Sequence, residues 1–388
     1  MRRVLYLASA VVLVDTLFFS ALTPLIPHYA HTLGLGKGGA GVLSAAYPLG
    51  GLVGAIPSGI VAARLGVKPT VLAGLIVVAA ATAAVGLLHD AWQLDLARFC
   101  QGIASAFSWT GALSWLVGAA SAAKRGQLIG QAFAAAVAGA LLGPVLGGVA
   151  SIAGTGWTFG TVAAASLGLA GWAFATPASR PEEPPPLSTL VRAFSDRRVV
   201  LSCWFVVLPG LLFGTLGVLG PLRLSTLGFG SAAIGATWLA AAAFETLNNL
   251  AIGRFADRFG PMAPIRVALA GTVVGAAVLP WPGNRFALAA AIVVSAVAFG
   301  AFYTPGMTLL THAAEERGLD YGYAFALISL AWAPGQTAGA ALGGTVAEVS
   351  SDAVPYLTLS GVALLTLLAV RKLSGSGARV VERPATDP

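Results

Sequence analysis

The sequence predicts an all-α membrane protein, with twelve transmembrane helices arranged as two pseudo-symmetric six-helix bundles. Three observations point there. The first is composition: 57% of the 388 residues are hydrophobic and only 10% are charged, whereas soluble domains run at about a quarter charged. With a mean hydropathy of +0.84, too little polar surface is left to cover a water-soluble globule. Soluble enzymes, nucleic-acid-binding modules and disordered chains are poor readings of such a chain. The second is the set of apolar runs long enough, at about 20 residues each, to cross a hydrocarbon core. Helices 1 to 6 are expected at 4–27, 40–62, 69–88, 92–119, 126–152 and 157–176, and helices 7 to 12 at 200–222, 231–253, 264–282, 286–310, 321–348 and 354–370. The third is an internal repeat. Gly59-Ile-Val-Ala-Ala-Arg64-Leu-Gly66-Val-Lys68 after helix 2 is echoed after helix 8 by Gly253-Arg-Phe-Ala-Asp257-Arg258-Phe-Gly260. Gly139, Gly143, Gly147 and Gly148 of helix 5 are echoed in helix 11 by Gly335, Gly339, Gly343 and Gly344. Two unrelated patterns at nearly one offset imply parallel halves related about an axis along the membrane normal.

The organisation follows. The start, Arg2-Arg3 and then an apolar run, superficially resembles a secretory signal. The run is too long, carries Asp15 and leads into further spans, so it reads as helix 1. An N-terminal half, 1–176, and a C-terminal half, 200–371, flank a proline-rich cytoplasmic linker at 177–199, and a flexible cytoplasmic tail covers 372–388. Eighteen of the 22 Lys and Arg fall in segments on one side; the other side holds Lys37, Arg223 and Arg285, and Arg98 lies within a span. Basic residues mark the cytoplasmic side, so both termini are expected inside. The net charge of +7 is then a topology signal for the lipid bilayer and not a nucleic-acid site. The alanine- and glycine-rich composition suggests a bacterial inner membrane. Cys100 and Cys203 sit in apolar stretches and read as buried free thiols.

Along the chain, Asp15 comes first. It lies eleven residues into helix 1, roughly 16 Å deep, where a carboxylate costs on the order of 3 kcal/mol to insert. It reads as a proton carrier or a counter-ion for a cationic substrate, or as a hydrogen bond to a neighbouring helix. His28 and His31 are spaced like a metal pair but have no Cys or Glu nearby, so no metal and no cofactor is expected. In helix 4, Arg98 cannot itself deprotonate, but it can act on Asp95 at i−3, with Gln101 one turn on. The bland alternative is an Asp95–Arg98 pair reaching for the outer surface. In helix 5 the glycines make a smooth face for close helix approach, and Pro144 bends the helix. That combination suggests a tight but bendable contact between the halves, or else a static packing face. Glu245 in helix 8, followed by Asn248 and Asn249, is either a second titrating or substrate-contacting carboxylate or a helix-end residue paired with Arg254 or Arg258. At the two repeated loops, Gly59, Arg64, Gly66 and Lys68, and Gly253, Asp257, Arg258 and Gly260, read as gate elements at helix ends. Phe18, Phe19, Phe107, Trp109, Trp115, Trp204, Trp238 and Trp332 supply aromatic surface for a cavity suited to an apolar or amphipathic molecule.

These residues also carry a family resemblance. The loop after helix 2 resembles the G-x-x-x-D-R-x-G-R/K signature of the major facilitator superfamily. Arg98-Phe-Cys-Gln101-Gly102 resembles its R-x-x-Q-G signature. Gly139-Ala-Leu-Leu-Gly143-Pro144-Val-Leu-Gly147-Gly148 matches the G-x-x-x-G-P-x-x-G-G signature of its twelve-span drug:proton antiporter branch. Helix 1, from Asp15 to Pro27, looks like that of twelve-span antiporters, including the vesicular amine transporters. The resemblance implies the major facilitator fold, a proton-transfer role for Arg98, and a monomeric carrier of protons and a small-molecule substrate. The sequence departs at Ala63, where the family has Asp, and at Ser329, where the vesicular amine transporters carry an acidic residue. The expected function is therefore a proton-coupled antiporter exporting a small amphipathic or drug-like compound by alternating access. The rivals are a facilitator or proton symporter taking up a small metabolite and, further off, a non-transporting receptor or scaffold. No phosphate-binding loop or nucleophile constellation is present, so an enzyme is not expected.

Overall fold

The computed structural model describes residues 2–121, 124–177, 196–260, 262–315 and 321–381. Most of the 177–199 linker, the end of the tail and the side chain of Asp257 lie outside the described residues. Twelve helical spans are present in chain order. Helix 1 comprises Arg2–Ala21, a single 3-10 turn Thr23–Leu25, and Ile26–Thr32; helices 2 to 6 are Lys37–Leu65, Val67–Leu87, Ala91–Gly118, Arg125–Ala153 and Thr155–Phe174. Helices 7 to 9 are Arg197–Thr226, Ser231–Phe259 and Met262–Val278; helix 10 is Arg285–Ala301 and then Tyr303–Glu315; helices 11 and 12 are Tyr321–Val349 and Ala353–Val381.

The two interruptions have a covalent cause. A proline removes one backbone donor and presses its ring on the carbonyl four residues earlier. Pro24 and Pro27 do this just past Ala21 in helix 1, and Pro305 does it at Ala301 in helix 10. Among the described residues, helices 1, 2, 3, 5, 7, 10 and 12 are individually long and apolar enough to cross a membrane. Helix 9 is apolar but shorter. Helices 4 and 8 hold Arg98 and Gln101, and Glu245 and Asn249. Such polar residues are affordable where they face the bundle and not lipid.

The repeat seen in sequence is a repeat of conformation. Gly34 and Gly228 take positive φ before helices 2 and 8, and Gly66 and Gly260 take it after them; both pairs are 194 apart by number. Only a residue without a Cβ enters that region cheaply, so the same turn recurs with the same residue. Packing repeats as well: helix 1 lies on helix 5 and helix 7 on helix 11, helix 2 on 4 and helix 8 on 10, helix 3 on 6 and helix 9 on 12. The halves meet through helix 2 against helix 11 and helix 5 against helix 8.

The backbone-to-backbone part of that contact lies at one end. Both termini lie on one face of the bundle, and at the opposite face the halves touch backbone to backbone. A Cβ on Gly41 would strike the Ala340 carbonyl, one on Gly344 the Lys37 carbonyl, and one on Gly235 the Pro144 carbonyl. Eighteen residues along a helix is about five turns, which returns to the same face. On those faces, toward the termini, Gly59, Gly126, Gly130 and Gly253 have no described atom within 4 Å of an added Cβ. The halves are thus closed together at the face away from the termini, while no described atom approaches these glycines within 4 Å at the face that carries them.

Candidate functional site

Helix 1 is set by the glycines of helix 5. An added Cβ at Gly139 would overlap the Leu13 carbonyl and Thr16, one at Gly143 would overlap Ser20, and one at Gly147 the Ala21 carbonyl. Leu13 and Thr16 bracket Asp15, so this close approach fixes its depth and heading. The glycine stripe therefore closes inside the N-terminal half, and not between the halves as expected from sequence. The inter-half contact of helix 5 falls instead to Pro144, against Gly235, and to Gly148, against Ala232. Helix 11 repeats the arrangement on helix 7, with Gly335, Gly339 and Gly343 against Val207, Leu211 and Thr215.

Asp15 is 4% exposed. Its Oδ2 accepts from the Tyr47 hydroxyl at 2.8 Å, from Ser105 Oγ at 2.7 Å and from Trp109 Nε1 at 2.7 Å. The Tyr47 and Ser105 oxygens are themselves 2.8 Å apart. Its Oδ1 is buried and has no partner, an arrangement that costs roughly 1–3 kcal/mol or more for a charged acceptor. Tyr47 joins this carboxylate to Arg98, whose guanidinium lies 4.9 Å over the Tyr47 ring. Buried Arg98 donates through Nη1 to Gln101 Oε1 at 2.6 Å, and Gln101 Nε2 donates to Thr82 at 2.7 Å. A continuous polar chain thus runs Thr82–Gln101–Arg98–Tyr47–Asp15–Ser105/Trp109 through four helices.

Asp95 is half-buried in helix 4 and makes no ion pair with Arg98; the expected i−3 partner is replaced by Gln101 and the Tyr47 ring. Of the eight aromatics named from sequence, three meet here. Phe19 lies 5.1 Å from Tyr47 and 5.4 Å from Trp332 of the other half, and Trp109 lies 5.6 Å from Phe133. Phe18 and Trp115 are core side chains of the first half, and Trp204 and Trp238 pack on the core of the second. Sequence reading missed Tyr47, Ser105 and Thr82. Ser105 carried a signal: Arg98, Gln101, Ser105 and Trp109 recur at three- and four-residue steps, which is one face of helix 4.

Among the described residues, Glu245 is joined by no hydrogen bond to Asp15's cluster. It sits on helix 8 against Gly300 of helix 10, and among the described residues it has no ion pair, with Arg254 and Arg258 included. Of the gate elements, Gly66 and Gly260 end their helices at φ 97° and 78°. Arg64 is exposed, Lys68 lies 5.1 Å over the Phe174 ring and Arg258 5.2 Å over the Phe259 ring. A charged cluster that the sequence did not announce lies at the opposite face. Lys37 of helix 2 pairs with Asp352, just past helix 11, at 2.5 Å, and Arg223 of helix 7 reaches Asp352 at 3.5 Å. The Glu348 carboxylate accepts from the backbone of Gly38. No cluster of His, Cys, Asp and Glu suited to a metal occurs among the described residues.

A sequence profile of the Major Facilitator Superfamily matches residues 8–335. The chain belongs to this superfamily. Its relatives include an uncharacterized MFS-type transporter of Yersinia pseudotuberculosis serotype O:3 (strain YPIII), 27% identical over 95% of this chain and 94% of that one. Another is the uncharacterized MFS-type transporter YcaD of Escherichia coli O6:K15:H31, 25% identical over 96% of each. Solved structures of like fold include the nucleoside transporter NupG, with a TM-score of 0.75 at 15% identity over 96% of this chain and 99% of that one. The D-xylose-proton symporter follows at 0.74 and 14%, over 95% and 96%. The protein is therefore a multi-pass major facilitator transporter and not an enzyme, and the Asp15–Arg98 chain is the polar interior of its N-terminal half.

Proposed function

We propose that this major facilitator protein is a proton-coupled antiporter that exports a small amphipathic compound, with Asp15 as the group that exchanges proton for substrate. The observation that carries the reading is the split state of the Asp15 carboxylate: three donors converge on Oδ2 while Oδ1 stays buried and unpartnered. The three oxygens of Asp15, Tyr47 and Ser105 have three close edges but only two hydroxyl protons between them. A proton on the carboxyl fills the third edge, and a donor or cation on the substrate satisfies Oδ1. The two cannot be held with equal ease, which is the competition antiport requires. Arg98 keeps its charge and acts through Tyr47 as a positioning group. Phe19 and Trp332, and Trp109 and Phe133, form two ring contacts beside the polar chain, and such apolar ring surface suits an amphipathic body.

In this reading both termini and the 177–199 linker face the cytoplasm, as the distribution of basic residues implies. The described conformation is then open inward and closed outward. The membrane is a bacterial inner membrane and the working unit is a monomer. The halves rock about the central site to alternate access.

A second reading, uptake of a small metabolite by symport or facilitation, is favoured by Ala63, which lacks the acidic gate residue. It also has two structural neighbours named as a nucleoside transporter and a xylose–proton symporter. The deciding experiment is proton flux in proteoliposomes with an acidic interior, challenged with cationic, neutral and anionic amphiphiles, for wild type and Asp15→Asn. Substrate-triggered proton release that vanishes in Asp15→Asn supports antiport. Gradient-independent uptake of a labelled metabolite, unchanged in Asp15→Asn, would overturn it in favour of the facilitator.

A further inference from the structure

Helix 8 carries a carboxylate that the Asp15 chain does not use. Glu245 is the fifteenth of the 29 residues of Ser231–Phe259, so it lies at the helix midpoint, roughly 21 Å from the Phe259 end. That places it mid-helix and not at a helix end. Its carboxylate occupies the notch left by the missing side chain of Gly300: a Cβ there would overlap Glu245 Oε1 and Cδ. The 194-residue offset of the repeat carries Ser105, which holds Asp15, to Phe299, the residue beside Gly300. Each half thus brings one carboxylate to the same level of matching helices, 4 and 10.

We infer that Glu245, with Asn249 and the end of the first segment of helix 10, forms a cation site in the C-terminal half that takes a proton or a sodium ion. The Tyr303 phenol and the Asn249 amide can donate as well as accept, and no described cation is paired with Glu245. Asn249 is one turn along the same face of helix 8, and its Oδ1 is buried without a partner. Helix 10 stops at Ala301 and restarts at Tyr303, so the C-terminal turn of its first segment, where Pro305 leaves the Ala301 carbonyl without its helical donor, ends beside the carboxylate. Phe299 and Phe302, on either side of Gly300 and Ala301, are fully buried. The ionisable group that senses its charge is the Tyr303 phenol, and no Lys, Arg or His pairs with Glu245 among the described residues. A mid-span carboxylate with no cationic partner among the described residues, set against the C-terminal turn of a helix segment, is stabilised when a cation joins it. Half-helix C-termini and interrupted backbone serve this purpose in other transporters. Because helix 10 is interrupted at this point, occupancy of the site also bears on the angle between its two segments.

This inference stands apart from the Asp15 reading and is tested without a transport substrate, on the full chain in lipid nanodiscs. Infrared difference spectra between acidic and alkaline buffer report carboxyl C=O protonation, and thermal unfolding in NaCl against equal choline chloride reports sodium. For a proton site, a carboxyl band that persists in Asp15→Asn disappears in Asp15→Asn/Glu245→Gln. For a sodium site, a sodium-specific rise in unfolding temperature is present in wild type and lost in Glu245→Gln. Gly300→Ala fills the notch while keeping both carboxylates, and abolishes whichever response is seen. The inference is overturned if wild type shows neither response, or if the response survives Glu245→Gln or Gly300→Ala in protein that remains monodisperse and helical. The Asp15 band is read separately, so failure here leaves the antiport reading intact, and the reverse holds as well.

Discussion

Replacing Asp352 by Asn should loosen the closed face of the transporter. Asp352 is the shared anion of two cations on different helices, Lys37 at 2.5 Å and Arg223 at 3.5 Å, and only the Lys37 pair crosses between the halves. The side chains are 13%, 39% and 30% exposed respectively, so solvent screens the pairs and each is worth about 0.2–1 kcal/mol. Removing the charge then shifts the balance between closed and open outer faces by up to about 1 kcal/mol, at most about fivefold, since about 1.4 kcal/mol corresponds to a factor of ten. The assay is electron–electron distance measurement between spin labels at His31 and Ser350, exposed positions at this face on opposite halves, with Cys100 and Cys203 changed to Ser. The expected result is a longer-distance population greater in Asp352→Asn than in wild type, by up to about fivefold. Raising the salt should move wild type toward the variant, because screening shortens the reach of partly exposed charges. Identical distance distributions in wild type and variant, at low and at high salt, would refute the idea that these ion pairs help hold the face shut.

Three further expectations follow from the same geometry. Gly143→Leu drives a side chain into Ser20 and the Leu17 carbonyl and should destabilise by about 1–3 kcal/mol or more. Gly168→Ala in helix 6, with no described atom within 4 Å, should be neutral or stabilising by up to about 1 kcal/mol; equal unfolding temperatures for the two would show that the glycine face does not set helix packing. Gln101→Leu leaves Arg98 Nη1 and Thr82 without their present partner and should cost about 1–3 kcal/mol, read by thermal unfolding in detergent. Tyr47→Phe keeps the ring under Arg98 and beside Phe19 but removes the hydroxyl from Asp15 and Ser105. A hydrogen bond to a charged group is worth roughly 1.5–3 kcal/mol, so substrate-driven proton flux should fall at least about tenfold; unchanged flux at matched protein would remove Tyr47 from the coupling chain.

Much of the architecture was legible in the residues themselves. A span must be a run of about 20 apolar residues whatever it packs against, so twelve helices were countable, and their bounds agree with the runs to within a few residues at most ends. Helix 8 shows where that reading fell short: it runs six residues past Gly253, to Phe259, and so moves Glu245 from near an end to the middle. The candidate site was legible only in part. Asp15, Arg98 and Gln101 stand out because charge within a span is costly. Tyr47, Ser105 and Thr82 are common in membrane helices, and nothing marks them until Asp15 and Gln101 are seen to bond them.

Residue order alone decides the helix count, the two-fold repeat and the turns, because each depends on local properties: apolar length, the missing Cβ of glycine, the missing N–H of proline. It does not decide which residues become partners. That depends on the rotation of each helix about its axis and on contacts between segments hundreds of residues apart. Packing of helix 5 on helix 1 turned the glycine stripe inward to one half and left Pro144 and Gly148 to meet the other. The same rotations turned Arg98 to Gln101 and Tyr47 and away from Asp95. Lys37 and Asp352 became a pair across 315 residues of chain, a contact that exists only because two helices from different halves converge at one face.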